Sequence, residues 1–252
     1  MQKISICMAT YNGAKYIREQ MDSILTQEFV ENPDVEMEII VSDDGSTDET
    51  LEILRGYNDP RIKIYDHKSK RHKYYSGMFA CTANFGHALS KATGDYVFMS
   101  DQDDIWYSSK LDKTLSLLKE KGGVCAAAFH VVSEDLSKRY GTNFYAKEPV
   151  WRLKKRHSFY GFSCGLTKDV LKVVLPMPNL YAHDTFIMWI GTFLNKTHFI
   201  NEPLAEHRWT GTHNTSSQSN NAPFCIRFYY RVKMLTLALI RSIKYRLSAS
   251  DV

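Results

Sequence analysis

The sequence predicts an α/β protein: a Rossmann-like, mostly parallel central sheet flanked by helices, with a helical extension at the C-terminal end. Two observations predict it. Short apolar runs rich in Ile, Val and Met alternate with stretches of helical period over the first half of the chain. That alternation implies parallel strands joined by right-handed crossovers. One of the runs, Tyr96-Val97-Phe98-Met99-Ser100, stops abruptly in Asp101-Gln102-Asp103-Asp104, and open α/β sheets bind ligands at the carboxyl ends of their strands.

The elements follow in order. Ile4–Ala9 reads as a first strand and Thr10-Tyr11-Asn12-Gly13 as its turn. Residues 14–27 carry Ile17, Met21, Ile24 and Leu25 at helical spacing. Met37–Val41 is a second strand ending in Ser42-Asp43-Asp44-Gly45-Ser46, and Thr47 is a suitable N-cap for the helix through Leu51, Ile53 and Leu54. Arg61–Tyr65 alternates as a third strand, Lys68–Lys73 is a basic loop, and Phe79–Lys91 is a helix ending before Gly94. Tyr96–Ser100 is the fourth strand. A helix over Lys110–Glu120 closes on Gly122-Gly123, and Val124–Val132 is apolar enough for a further strand. Beyond it the pattern is mixed: basic Arg152–His157, a Gly/aromatic loop Phe159–Gly165, helices over Lys168–Val174 and Asp184–Phe193, a short strand Thr197–Ile200, a polar loop Thr210–Pro223, and a long helix Phe224–Leu247. This divides the chain into residues 1–221 and a basic amphipathic helix over 222–252.

Composition narrows the function. The 252 residues are 44% apolar and 24% charged, and 32 basic against 28 acidic residues leave a formal charge of +4. That balance is too mild to argue for nucleic acid as a partner. Cys7, Cys81, Cys125, Cys164 and Cys225 are odd in number and form no C-x-x-C pair, so reduced thiols in a cytoplasmic protein are expected rather than disulfides or a zinc ribbon. Neither a secretory leader nor a membrane-spanning run is expected.

Chemistry concentrates where strands end. Asp101, Asp103 and Asp104 repel one another unless a cation sits among them. Oxygen ligands of that kind suit magnesium or manganese; the plainer reading is a solvated acidic turn ahead of a helix. Together with Thr10-Tyr11-Asn12 and Asp43-Asp44 the acids outline a nucleotide pocket with a metal. The chain carries neither G-x-G-x-x-G after its first strand nor G-x-x-x-x-G-K-[ST], so dinucleotide and P-loop chemistries are disfavoured.

Ala9-Thr10-Tyr11-Asn12-Gly13, Val41-Ser42-Asp43-Asp44-Gly45-Ser46-Thr47-Asp48 and Ser100-Asp101-Gln102-Asp103-Asp104-Ile105-Trp106 stand in the order and spacing of family 2 glycosyltransferases. The chain resembles that family closely over about its first 110 residues and more weakly to about residue 215. The resemblance implies a GT-A fold and an inverting, metal-dependent transfer from a nucleotide sugar, and the form Ser-Asp-Gln-Asp-Asp-Ile-Trp is similar to bacterial polysaccharide transferases of rhamnosyltransferase type. It implies that Thr10, Tyr11 and Asn12 border base and ribose, that Asp44 and Asp43 bind the base, and that Asp101 faces ribose and sugar. It implies Asp103 as metal ligand, with His207 or His213 as a further one, and Arg208 on the diphosphate. Asp184 takes the general-base position at the start of a helix, where an anion is stabilised, with His183 in place of the family's usual Glu. Trp106, Gly161, Cys164 and His183 are the acceptor-side residues that the resemblance implies. Asp184 as a plain helix cap is the alternative.

Donors of the family include dTDP-rhamnose and UDP-hexoses; the implied acceptor is a glycan or a lipid-diphosphate-linked glycan. From His207 through Ser250 the chain has no Asp or Glu, so the C-terminal helix is expected to lie on anionic lipid at the inner face of the cell membrane. Packing on the sheet or pairing in a homo-oligomer is its competing use. Two other classes are carried: a metal-dependent phosphohydrolase of haloacid-dehalogenase type, which also sets Asp-x-Asp after an apolar strand, and an inactive sugar-nucleotide-binding module.

Overall fold

The acidic turn sits at one end of a curled sheet, and its place follows from strand register. The structure, a computed structural model, describes residues 2–28, 35–70, 76–145, 159–210 and 223–250. The central strand β1 (Gln2–Thr10) pairs in parallel with β2 (Val35–Asp43) on one side and β4 (Tyr96–Ser100) on the other. Thr10 lies opposite Asp43 and Met8 opposite Ser100. The three strands therefore finish together, and the polar residues after each are brought to one edge. Strand β3 (Ile62–Asp66) extends the parallel side beyond β2.

The other half of the sheet is mixed. Strand β8 (Cys164–Thr167) runs antiparallel between β4 and β6 (Val124–Ser133), with Gly165 opposite both Phe98 and Cys125. A Cβ on Gly165 would stand 2.6 Å from the Phe98 ring, so the close approach requires glycine. Strand β9 (Thr197–Trp209) runs parallel to β6 and also pairs with the two-residue β5 (Ile105–Trp106). Strand β7 (Arg139–Asn143) pairs with β6.

Alternation along the strands sends side chains to two cores. Ile4, Ile6, Met8, Ile39, Val41 and Phe98 face α1 (Ile17–Leu25), α2 (Thr50–Gly56) and α4 (Lys110–Lys121). Cys7, Ile40, Val97 and Met99 face α3 (Ser76–Lys91), α5 (Lys168–Val174) and α6 (His183–Phe193). The long α7 (Phe224–Ser250) packs on α5 and α6 through Met234 and Ala238. Arg241 donates to the carbonyls of Val173, Val174 and Pro176 at the C-terminal end of α5, where a helix leaves carbonyls unsatisfied.

Several expected boundaries move for local reasons. Helix α1 begins at Ile17, not residue 14, because Gly13 O accepts from Tyr16 and Ile17 N–H and closes a turn first. Helix α2 begins at Thr50, since Thr47 N–H is bound to Asn12 Oδ1 and Asp48 takes the Thr50 N–H instead. The expected short strand Thr197–Ile200 continues to Trp209, and β5, β7 and β8 are additional. The expected loops at 71–73, 152–157 and 211–222, and His213 with them, lie outside the described residues.

Candidate active site

Two turns are laced together at the sheet edge. Asp43, 1% exposed, accepts from Thr10 Oγ1 (2.8 Å), Ser46 N–H (2.7 Å) and Ser46 Oγ (2.6 Å). Asn12 has φ 48°, a conformation Asn tolerates better than most residues. It receives the Thr47 N–H on Oδ1 and donates its own N–H to Ser46 Oγ. Gln102 grips the first turn from the acidic side, accepting from Tyr11 N–H (2.9 Å) and donating to Tyr11 O (3.1 Å). Asp44 donates its N–H to Thr10 O and accepts from Ser69 N–H at 2.5 Å. Asn84 on α3 donates to Thr10 O and accepts from Ser42 Oγ.

The acidic turn is held from beneath. Asp104 is fully buried and its Oδ1 accepts from His207 Nδ1 at 2.7 Å. Register places His207 there: Ile105 pairs with Glu206, the neighbour of His207 on β9. Burial opposes charge on the imidazole, but Asp104 outweighs it, and the His207 pKa is raised to about 9. Its ring stacks on Phe162 at 4.8 Å. Lys110, 1% exposed, donates to Phe162 O at 2.9 Å and lies 4.3 Å from the centre of the Trp106 ring. Burial lowers its pKa to about 8 against the pull of Asp104. Burial and then Asp104 push Asp103 up to about 7; burial, Asp104 and Asp103 hold Asp101 well above the usual carboxylate range.

Across the cleft, Asp184 lies in the first turn of α6 and accepts the Thr185 N–H at 2.6 Å. His183 before it is buried, stacks on Phe85 at 4.4 Å, and is kept below the ordinary imidazole pKa by burial. Gly161 faces it: a Cβ there would stand 2.7 Å from His183 Nε2 and 2.9 Å from Met99 Cε.

A cleft of about 640 Å³ brings together Thr10, Tyr11, Asp44, Asp101, Asp103, Gly161, His183, Asp184 and His207 of the expected residues. Asn12 and Asp43 stand behind it, bracing the turns. Trp106 and Cys164 are buried in the sheet rather than along its wall. Arg208 is turned to Glu19 and the Glu134 carbonyl, with its guanidinium 5.2 Å from the Tyr16 ring centre. Sequence reasoning missed Gln102, Tyr160 and Tyr181, which also line the cleft. Each lies in or beside a stretch the sequence singles out: Gln102 in the acidic motif, Tyr160 in the Gly/aromatic loop, and Tyr181 two residues before His183-Asp184.

The acids fit a hard divalent cation. Oxygen atoms of Asp101, Asp103 and Asp104 all lie within 4.8 Å of one another. Asp104 Oδ2 is buried with no hydrogen-bond partner, an arrangement that a cation would relieve.

A mostly parallel sheet with a metal-suited acidic turn at its strand ends, facing a carboxylate at a helix start, defines the GT-A class. The family model of Glycosyl transferase family 2 matches residues 5–175, and the chain belongs to that family. A dTDP-rhamnosyl transferase of Shigella flexneri, RfbG, is 34% identical over 121 residues, covering 47% of this chain and 39% of the relative. The poly(ribitol-phosphate) β-N-acetylglucosaminyltransferase TarS of Staphylococcus aureus is 34% identical over 121 residues, 48% of this chain and 19% of the relative. The matches thus span well under two thirds of these relatives. A TarS crystal structure with UDP-GlcNAc superposes with TM-score 0.68 at 21% identity, covering 96% of this chain and 66% of that one. A mannosyltransferase of Pyrobaculum calidifontis with GDP-Man and Mn2+ gives 0.59 at 16% identity, over 100% and 76%. The family match does not favour the phosphohydrolase or inactive-module readings.

Proposed function

We infer that the protein is an inverting glycosyltransferase that moves a sugar from a nucleoside-diphosphate sugar to a hydroxyl of a glycan or lipid-linked acceptor in cell-surface polysaccharide synthesis. One observation carries the reading: Asp44, Asp101, Asp103 and Asp184, from three separate segments, line one cleft. Relatives named for dTDP-rhamnose and N-acetylglucosamine transfer support dTDP-rhamnose or a UDP-hexose as donor.

In this reading Thr10, Tyr11 and Asp44 hold the nucleoside. Asp44 is fixed for that role by the Ser69 N–H, which leaves its other carboxylate oxygen for a base N–H. Asp101, Asp103 and Asp104 would hold manganese or magnesium, which when bound would neutralise charge on the leaving diphosphate. His207 orients Asp104 through its Nδ1–H; only its Nε2 remains for any ligand. Arg208, committed to Glu19, is not assigned to the diphosphate.

Asp184 receives the proton of the acceptor hydroxyl. The freed oxygen attacks the anomeric carbon from the face opposite the nucleoside diphosphate, the C–O bond to phosphate breaks, and the configuration inverts. Gly161 and His183 shape the acceptor side, with the neutral imidazole able to donate one hydrogen bond. A nucleotide-sugar panel with manganese or EDTA, read by mass spectrometry, tests the proposal. Nucleoside diphosphate release from at least one donor, in manganese alone, is expected. Release of inorganic phosphate from simple phosphate esters without any sugar transfer would overturn it.

A further inference from the structure

Helix α7 buries one face and exposes another of matching length. Met234, Ala238 and Ser242 are buried. On the opposite side, at helical spacing, Phe228, Tyr229, Val232, Leu239, Ile240 and Ile243 are between 42% and 58% exposed. Such a stripe is larger than a water-facing helix normally leaves. Arg227, Arg231, Lys244 and Arg246 are exposed on the same helix, which has no acidic residue to offset them. Among the described residues no helix is long and apolar enough to cross a membrane.

We propose that the outer face of α7 docks in the plane of an anionic phospholipid bilayer. The apolar stripe enters the acyl boundary and Lys244 and Arg246, at its edges by helical spacing, meet lipid phosphates, the composition of an interfacial helix. Charge selects this occupant over a second copy. A two-fold contact through the face would set basic helix against basic helix with no acidic partner, whereas an anionic surface complements it.

The docked helix also sets the cleft's distance from the lipid. Tyr230 packs against Phe79 (5.0 Å between ring centres) and Tyr181 (6.1 Å), and Tyr181 lines the cleft. The N-terminal half of α7 therefore backs one wall of the cleft through Tyr181, which ties the cleft to a membrane-docked helix and to a hydroxyl acceptor carried on a lipid. That consequence rests on the proposed transfer; the membrane contact does not.

Flotation of the 252-residue protein with vesicles of phosphatidylcholine and phosphatidylglycerol, three parts to one, tests it. The protein is expected to float with these vesicles, to stay behind with pure phosphatidylcholine, and to be released by high salt. K244Q with R246Q should weaken partition by about tenfold or more. V232S, L239S and I243S together should abolish flotation with only a few degrees' fall in melting temperature, since these side chains are about half exposed. Failure of the unaltered protein to float, or flotation of the triple variant at its level, overturns the proposal. So does a lipid-free dimer, by light scattering, that the triple variant converts to monomer. Nucleoside diphosphate release, measured on the same lipid-free samples, reports the transferase reading separately: its absence would leave the vesicle result standing.

Discussion

Replacing Asp103 by Asn should stabilise the metal-free protein, against the usual direction of a substitution in a cleft. An unfolded aspartate titrates near 3.8, and in the fold Asp103 titrates at about 7. Between those values the folded chain binds more protons than the unfolded one, so metal-free stability falls as pH rises through the window. The interval corresponds to about 4 kcal/mol at most. Asp103 is partly exposed, and solvent screening reduces this to about 2 kcal/mol. For a chain of this length that is a rise of roughly 4–8 °C in melting temperature. Scanning fluorimetry in EDTA at pH 8 should show Asp103→Asn melting higher than the unaltered protein, and the two should converge near pH 4, where both side chains are neutral. Manganese at pH 8 should raise the unaltered protein, by about 2.7 kcal/mol at a hundredfold excess over its dissociation constant, and leave the variant nearly unmoved. A lower melting temperature for Asp103→Asn at pH 8 in EDTA, or equal gains from manganese, would refute the reasoning.

Asp184→Asn keeps the shape of the helix start and removes the base; kcat should fall about 10²–10⁴-fold with donor affinity unchanged in calorimetry. Gly161→Ala drives a methyl into His183 Nε2 and Met99 Cε, so KM for the acceptor should rise several-fold in steady-state assays while KM for the donor holds. Lys110→Met leaves the buried Phe162 carbonyl without its donor. Urea denaturation should show a loss of about 1–3 kcal/mol.

The half of the fold read best from sequence is the half built from local pattern. Strands β1, β2 and β4 are short, mostly apolar runs, and their shared ending puts Thr10, Asp43 and Asp101 at one edge. Strand β8 was hidden because Cys164-Gly165-Leu166-Thr167 is short, carries a glycine and joins the sheet antiparallel; only the Phe98 ring against Gly165 explains it. The extension of β9 to Trp209 is likewise non-local, fixed by pairing with β6 and β5. That pairing gives His207 its partner, Asp104, a contact 103 positions apart in the chain. Arg208 shows the opposite limit. Its charge fits a diphosphate, yet strand alternation places it with Glu19, on the other side from His207.

The central claim is that the cleft binds a nucleoside diphosphate through a cation held by the acidic turn. Titration calorimetry of UDP and dTDP into the protein, with manganese and then with EDTA, tests it most directly. The account predicts one-to-one binding of at least one of them in manganese, lost in EDTA and lost in Asp103→Asn. Binding of equal strength in EDTA, or no binding of either nucleotide in manganese, would contradict it.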